Sequence, residues 1–340
     1  MNTPVLQVEN LHVEFDTYGG TVQAVRGVDF AVAAGQTLAI VGESGCGKSV
    51  SVQALMGLIP MPPGRITQGS ARLHGEEILG RDRVGGKQVR GAQIGMIFQD
   101  PMSSLNPTMT IGEQIAEPLL VHRGYSARQA RARAIELLEL VRIPEAAQRA
   151  KQYPFEFSGG MLQRAMIAMA IACKPAVLIA DEPTTALDVT IQAQILDLLR
   201  DLQKETGMAL VLITHDLGVV ARMADEVAVM YAGRIAECGS VDDVFYRSAH
   251  PYTLGLKQAM PSNDPDGRQS LQPIEGSPPD LFSPPLGCAY AARCPHSMQI
   301  CQRQAPGHFL VGDGHYSHCW LQHPANPHAP EGLTLGGRHE

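Results

Sequence analysis

Apolar and polar residues alternate along the first part of the chain. Leu6, Val8, Leu11, Val13 and Phe15 outline one strand, and Val25, Val28, Phe30 and Val32 a second. This period-two pattern predicts an antiparallel β element with one buried face. Four later segments are instead apolar at successive positions: Thr37–Val41, Ile94–Phe98, Val177–Ala180 and Ala209–Ile213. Short continuous runs of this kind read as strands buried on both faces. Helical spacing predicts helices over about Lys48–Leu58, Ile111–Leu140, Ser158–Cys173 and Thr190–Leu202. Strands alternating with helices indicate an α/β domain with a largely parallel sheet.

The pattern changes near Pro261. Pro, Ser, Gly and Asp dominate from there to Pro285, as expected of a linker. Gly287–Trp320 is rich in Cys, His and Arg and reads as a small appended module. Gln322–Glu340 is Pro-, His- and Gly-rich and is expected to be loose. No internal repeat is evident. The expected domains are therefore 1–260, a linker at 261–286, and a Cys-rich extension at 287–340.

Composition narrows the class. The chain has 340 residues, 44% apolar and 18% charged, enough to bury a core. Its formal net charge of -7 speaks against a nucleic-acid partner, which needs a basic surface. No run of about 18 apolar residues is long enough to span a bilayer. Residues Met1–Asn10 lack the basic-then-apolar layout of a signal peptide, so the chain is expected in the cytosol. There, seven cysteines are not expected to form structural disulfides.

The clearest chemistry follows the Thr37–Val41 run. Gly42, Glu43, Ser44, Gly45, Cys46, Gly47, Lys48 and Ser49 match the spacing GxxxxGK[ST], placed between a strand and a helix. Glycines there let backbone N–H groups turn inward around phosphates, and the helix N-terminus adds favourable partial charge. Lys48 is expected to reach the β- and γ-phosphates and Ser49 to ligate Mg²⁺. Val50, next on the helix, joins the expected ATP-binding set. A Gly-rich strand–helix turn without ligand is the bland alternative, and the Lys-Ser pair speaks against it. Cys46 reads as an incidental small residue.

A second apolar strand, Val177–Ala180, ends in Asp181 and Glu182. Asp181 is expected to hold Mg²⁺ and Glu182 to polarise the attacking water, because a metal-bound carboxylate oxygen is a poor base. Gln99 follows the Ile94–Phe98 strand, where it can touch Mg²⁺ and that water. His215 stands at the end of the Ala209–Ile213 strand, where it can contact a γ-phosphate and steady Glu182. Either residue alone would more often be structural. For adenine stacking the candidate is Tyr18, with Phe15 as rival.

Phe157, Ser158, Gly159, Gly160, Met161, Leu162, Gln163 and Arg164 complete a recognisable set. This stretch resembles the LSGGQ signature of ATP-binding cassette (ABC) ATPases, and Asp188 resembles that family's D-loop residue. Phe157 and Met161 depart from the usual signature, while Ser158, Gly159 and Gly160 match it. The form FSGGM followed by QR resembles ATPase subunits of dipeptide and oligopeptide importers. This resemblance covers about residues 36–216. It implies a P-loop cassette with a RecA-like core, an antiparallel β subdomain and a helical subdomain at about 100–165. It also implies that two cassettes sandwich two ATP molecules, each signature capping the nucleotide held by the opposite P-loop. A second, homologous ATPase subunit, two transmembrane permease subunits and a substrate-binding protein are the implied partners. The implied location is the cytoplasmic face of the inner membrane. Asp100–Pro107 is expected to dock a permease helix. The alternatives are the same role in a nickel or other small-solute importer, and a soluble ABC ATPase without membrane partners.

Cys288, Cys294, Cys301 and Cys319 are separated by five, six and seventeen intervening residues. Zinc, an iron–sulfur cluster and unligated thiols are the competing readings, and no CxxC knuckle favours zinc. So short a tail has little apolar content and needs a staple. The spacing, with Arg293-Cys294-Pro295 and the preceding His250-Pro251-Tyr252-Thr253, is similar to the C-terminal extension of peptide-importer ATPases. That resemblance implies a [4Fe–4S] cluster on the four cysteines. Cys173 and Cys238 read as ordinary buried residues.

Overall fold

The computed structural model describes residues 3–79, 89–185, 187–260, 273–326 and 332–334. In chain order the strands and helices begin with β1 (Pro4–Thr17), β2 (Gly20–Ala33), β3 (Thr37–Val41) and α1 (Lys48–Leu55). Next come β4 (Gly64–Leu73), β5 (Glu76–Glu77), β6 (Ile94–Ile97), α2 (Pro101–Ser104), α3 (Ile111–Arg123), α4 (Ala127–Leu140), α5 (Ala146–Arg149) and α6 (Gly159–Ile171). They are followed by β7 (Val177–Asp181), α7 (Val189–Thr206), β8 (Ala209–Thr214), α8 (Leu217–Met223), β9 (Glu226–Tyr231) and β10 (Arg234–Ser240). Then come α9 (Val241–Tyr246), α10 (Pro251–Gln258), α11 (Gln299–Arg303), β11 (Phe309–Gly312) and β12 (His315–Ser317). The four continuous apolar runs of the sequence are thus β3, β6, β7 and β8.

The chain forms two compact units. The first comprises residues 1–7, 31–37 and 72–213, and the second 8–30, 38–71 and 214–340.

In the first unit β6, β7 and β8 lie parallel, with Ile97 opposite Ala180 and Asp181 opposite Ile213. All of β7 is buried, so its apolar residues set the register and its acidic end marks the carboxyl edge of the sheet. Helices α3, α4 and α6 pack on one another. The sequence pattern predicts one helix over 111–140, and the structure corrects this to two. Gly124 takes a left-handed conformation (φ 65°) that ends α3. Ser126 and Gln129 then form a capping box that starts α4. The apolar period survives the break because both helices bury one face against α6, which hides the turn from periodicity alone.

In the second unit β3 pairs in parallel with β9, and β9 pairs antiparallel with β10. Ala232 and Gly233, both at positive φ, make the tight turn between β9 and β10. The tail adds to this layer: β12 pairs with β10, and β11 with β12. Glu237 of β10 is fully buried. Its carboxylate accepts from the backbone N–H groups of Ala249 and His250, and it meets His315 Nε2 at 2.8 Å. These contacts satisfy a carboxylate that would otherwise be costly to bury. Ala39 and Val41 of β3 share one apolar cluster with Tyr231, Tyr252 and Tyr290, against which Cys288 and Cys294 pack. Of the expected linker, residues 261–272 lie outside the described residues. The part that follows lies along β2, where the Gln23 N–H donates to the Leu281 carbonyl at 2.9 Å.

Candidate functional site

Gly42–Ser49 leaves β3 and enters α1 as a turn that only glycine permits at two points. Gly42 has φ 150°, and a Cβ on it would lie 2.1 Å from the Met230 carbonyl oxygen. Gly47 has φ 102°, and its Cβ would lie 2.4 Å from the Ala24 carbonyl oxygen. Both clashes are with backbone, so neither can be relieved by a rotamer change. Lys48 is buried at 5% exposure. Its Nζ donates to the Gly42 and Glu43 carbonyls at 2.8 and 3.0 Å and lies 3.8 Å from Cys46 Sγ. Burial pushes the Cys46 thiol upward, which keeps it protonated. Ser44 and Gly45 are exposed at the mouth of the turn, and Ser49 and Val50 are half-buried at the start of α1.

In the first unit Asp181 ends β7 at 3% exposure, and Glu182 follows it. Glu182 takes a left-handed backbone (φ 48°), costly for a residue with a Cβ. Its N–H donates to the Ile213 carbonyl at 2.9 Å, which ties that conformation to β8. Its carboxylate Oε2 accepts from Gln99 Nε2 at 3.1 Å and from Thr185 Oγ1 at 2.9 Å. The structure therefore brings Gln99 and Glu182 together, and it adds Thr185. The sequence places that residue only at the start of the Thr185–Asp188 stretch that resembles the D-loop and gives it no role, since a Thr there carries no charge. His215 is exposed just after β8, and Asp216 caps α8 by accepting from the Gly218 and Val219 N–H groups.

Ser158 is the N-cap of α6 and accepts from the Met161 N–H at 3.4 Å. Gly159 and Gly160 form the first turn. A Cβ on Gly160 would meet Ile191 Cγ2 at 3.0 Å. Ser158, Gly159, Gly160 and Met161 line an open groove of about 540 Å³ with Arg142, Leu187 and Asp188. Asp188 also caps α7 by accepting from the Ile191 N–H at 2.9 Å. Tyr18 is fully exposed in the turn between β1 and β2. Phe15 is half-buried, and its ring edge would lie 3.2 Å from a Cβ on Gly64, so it serves as a packing residue.

Cys301 and Cys319 are buried, and Cys288 and Cys294 are half-buried. The Cys288 N–H donates to the Cys301 carbonyl at 2.7 Å. Burial pushes Cys294 up to about 11, with the neighbouring Cys288 and Cys301 adding to the rise. Cys319 is raised by burial and then by Cys288, Cys294 and Cys301. The four thiols are therefore electrostatic neighbours. Among the described residues, however, no group of three His, Cys, Asp or Glu side chains converges at the spacing a metal ion needs. The expected cluster site is thus gathered in donor type but is not closed around a centre.

Also among the described residues, no helix is long and apolar enough to cross a membrane.

Comparison with known proteins agrees with this geometry. A family model for ABC transporters matches residues 25–185, and one for the C-terminal region of oligopeptide/dipeptide transporters matches residues 236–301. The chain is 55% identical over 325 residues to the dipeptide transport ATP-binding protein DppD of Bacillus subtilis (strain 168), covering 96% of this chain and 97% of that protein. It is 52% identical over 302 residues to the oligopeptide transport ATP-binding protein OppD of Escherichia coli (strain K12), covering 89% of each. Among solved structures, an ATP-binding cassette in a dimeric post-hydrolysis state bound to ADP and Pi superposes with a TM-score of 0.62 at 28% identity. That match covers 69% of this chain and 98% of the cassette. The protein cbiO1 from Clostridium perfringens, part of an ABC transporter complex, gives 0.60 at 29% identity, covering 71% of this chain and 90% of that one. The cassette fold and the near full-length identity together show that the chain belongs to the ABC transporter family, among the dipeptide and oligopeptide transport ATP-binding proteins.

Proposed function

We propose that this chain is the ATP-hydrolysing subunit of a peptide importer, binding MgATP on Gly42–Val50 and coupling its hydrolysis to uptake of dipeptides or oligopeptides. One observation carries the reading. Lys48 buries its ammonium against neutral carbonyls, and among the described residues no carboxylate pairs with it. A buried cation held this way is poised for an anion, and a triphosphate at a glycine turn supplies one.

The roles of the other residues follow from chemistry. Ser49, Asp181 and Gln99 would hold Mg²⁺, which offsets charge on the β- and γ-phosphates when bound. Glu182 takes the proton of the attacking water or orients it. Thr185 and Gln99 hold its carboxylate while β8 fixes its backbone. His215 contacts the γ-phosphate, and Tyr18 stacks on adenine. The open groove at Ser158–Gly160 suits the γ-phosphate of a nucleotide held by a second cassette, because a capped helix N-terminus there faces solvent.

The second cassette is a homologous subunit. Two permease subunits and a substrate-binding protein complete the importer, and the chain sits peripherally on the cytoplasmic face of the membrane. Asp100–Pro107 docks a permease helix, with Met102 exposed on α2.

The four C-terminal cysteines take a [4Fe–4S] cluster in this reading. Their electrostatic proximity supports it, and because burial favours the protonated thiols, loading must displace their protons as it draws them together. Anaerobically purified Cys294→Ser should lose iron and the brown absorbance, and iron content equal to wild type would reject the cluster.

The functional reading is tested by ATP turnover in the complex reconstituted with its membrane subunits. Turnover stimulated by a peptide-loaded binding protein is expected. Stimulation by a nickel complex and not by peptide would redirect the substrate. An assembly that hydrolyses no ATP would end the reading.

A further inference from the structure

Glu43 is the second residue of the phosphate turn, and side chains from the C-terminal part of the chain converge on it. Its backbone N–H donates to Tyr252 Oη at 2.9 Å. Its carboxylate receives both ends of the Arg293 guanidinium, Nη1 at 2.6 Å and Nη2 at 2.9 Å. Arg293 is itself locked. Nε donates to the Glu275 carbonyl at 2.9 Å, Nη2 to the Ile274 carbonyl at 3.2 Å, and Nη1 to Tyr231 Oη at 3.3 Å. Its side chain is 5% exposed, and its guanidinium carbon lies 5.8 Å from the centre of the Tyr231 ring. The hydrogen bonds to Glu43 push Arg293 further above its ordinary value. A planar fork on a carboxylate fixes direction as well as distance.

The carbonyl of this same Glu43 accepts from Lys48 Nζ. A loop with left-handed Gly42, Gly45 and Gly47 has little intrinsic preference for one shape. External contacts must therefore select the conformation that binds phosphate. The segment supplying the bidentate contact is the turn between Cys288 and Cys294, braced by the Arg293 N–H to the Tyr290 carbonyl at 3.0 Å.

We propose that Arg293 is a positioning residue for nucleotide binding, whose bidentate grip on Glu43 holds the first half of the phosphate loop, and the carbonyl on which Lys48 rests, in its binding-competent shape. This rests on the reading of Gly42–Val50 as the ATP site. It makes the cysteine-bearing extension part of that site's support. The relation is quantitative. When the competent fraction of a loop falls, apparent affinity falls by the same factor, while chemistry in the bound state is untouched.

The test uses the purified full-length chain, titrated with a fluorescent ATP analogue and Mg²⁺, with thermal melting in parallel. Arg293→Ala should weaken binding about tenfold, as expected if the competent fraction drops to about a tenth. Arg293→Lys should fall between Arg293→Ala and wild type, because an ammonium cannot reproduce the fork. Glu43→Gln should weaken binding too, and the double variant Glu43→Gln/Arg293→Ala should bind no more weakly than Arg293→Ala. In the assembled transporter, KM for ATP should rise with Arg293→Ala by the same factor while kcat stays within about twofold. Should Arg293→Ala fail to fold, Glu43→Gln decides, since it keeps the side chain's size and loses its charge. Unchanged affinity in folded variants, even with a lowered Tm, overturns the clamp and leaves the ATP reading standing. A wild-type chain that binds no ATP overturns both.

Discussion

Two helix N-termini in this chain are the proposed phosphate sites, and they are built differently. At α1 the approach is closed and pre-set. Gly42 and Gly47 sit where backbone blocks any Cβ, and a buried Lys48 lies against the turn's own carbonyls. At α6 the approach is open. Ser158 satisfies one helix N–H, and the next residues line a groove exposed to solvent. The first is a grip, complete in its local chemistry. The second is half of a contact, with donors presented and nothing of its own to hold. Under the proposed function, the difference teaches how one chain could carry both the holding and the capping elements of an ATP site and still need a second cassette to bring them together.

Removing the grip should have the largest effect. Lys48→Ala is expected to lower ATP turnover by roughly a thousandfold, as loss of a transition-state charge does. Turnover within tenfold of wild type would mean that the buried ammonium is structural. Glu182→Gln separates binding from chemistry. ATP should bind as in wild type while turnover falls roughly a hundredfold or more, the size of a general-base contribution. A wild-type rate in that variant would remove Glu182 from the mechanism.

The contacts that support the phosphate turn also respond to pH, because Tyr252, which holds the Glu43 N–H, packs next to His250. Burial pushes His250 down to about 3, and its neutral ring accepts from the Tyr252 N–H that begins α10. The folded state disfavours protonation relative to an unfolded pKa near 6.5. This contribution to stability is therefore complete above pH 6.5 and is lost as pH falls toward 3, at up to about 1.4 kcal/mol per pH unit. Chemical denaturation from pH 7 to pH 5 should show a steeper loss for wild type than for His250→Asn. Equal slopes would contradict the assignment. The smallest effect should come from the open end. Ser158→Ala should cost about 1 kcal/mol of stability through the lost cap. It should also reduce turnover of the paired cassettes while leaving ATP binding to the isolated chain unchanged. A matching loss of binding in the isolated chain would show that the two helix ends are not distinct in role.

The strands that carry the proposed ATP site are legible in the sequence because they lie in contiguous patterns. Buried strands β3, β6, β7 and β8 read as apolar runs, and the residues proposed for ATP chemistry follow their ends. The helix break at Gly124 was hidden because both halves keep the same apolar face. Strands β9 and β10 were not foreseen. They are joined by Ala232-Gly233, a turn whose geometry is that of a primed hairpin without its usual Asn or Asp signal. The support of the site was illegible for a different reason. Arg293 and Glu43 are 250 positions apart. A salt bridge across that separation has no local spacing to betray it, and either residue alone reads as a solvated charge. The pairing of β12 with β10 was unreadable in the same way, because the apolar content of the tail is too thin to suggest strands at all.

The most direct test is a structure of the complex trapped with MgATP by Glu182→Gln. This scheme predicts a triphosphate seated on Ser44–Ser49, with Lys48 turned from the loop carbonyls onto its phosphates and a second cassette's signature helix end covering it. Ser158 of this chain would face the other nucleotide. A nucleotide enclosed by this chain alone, with Ser158 pointing into solvent, would contradict it.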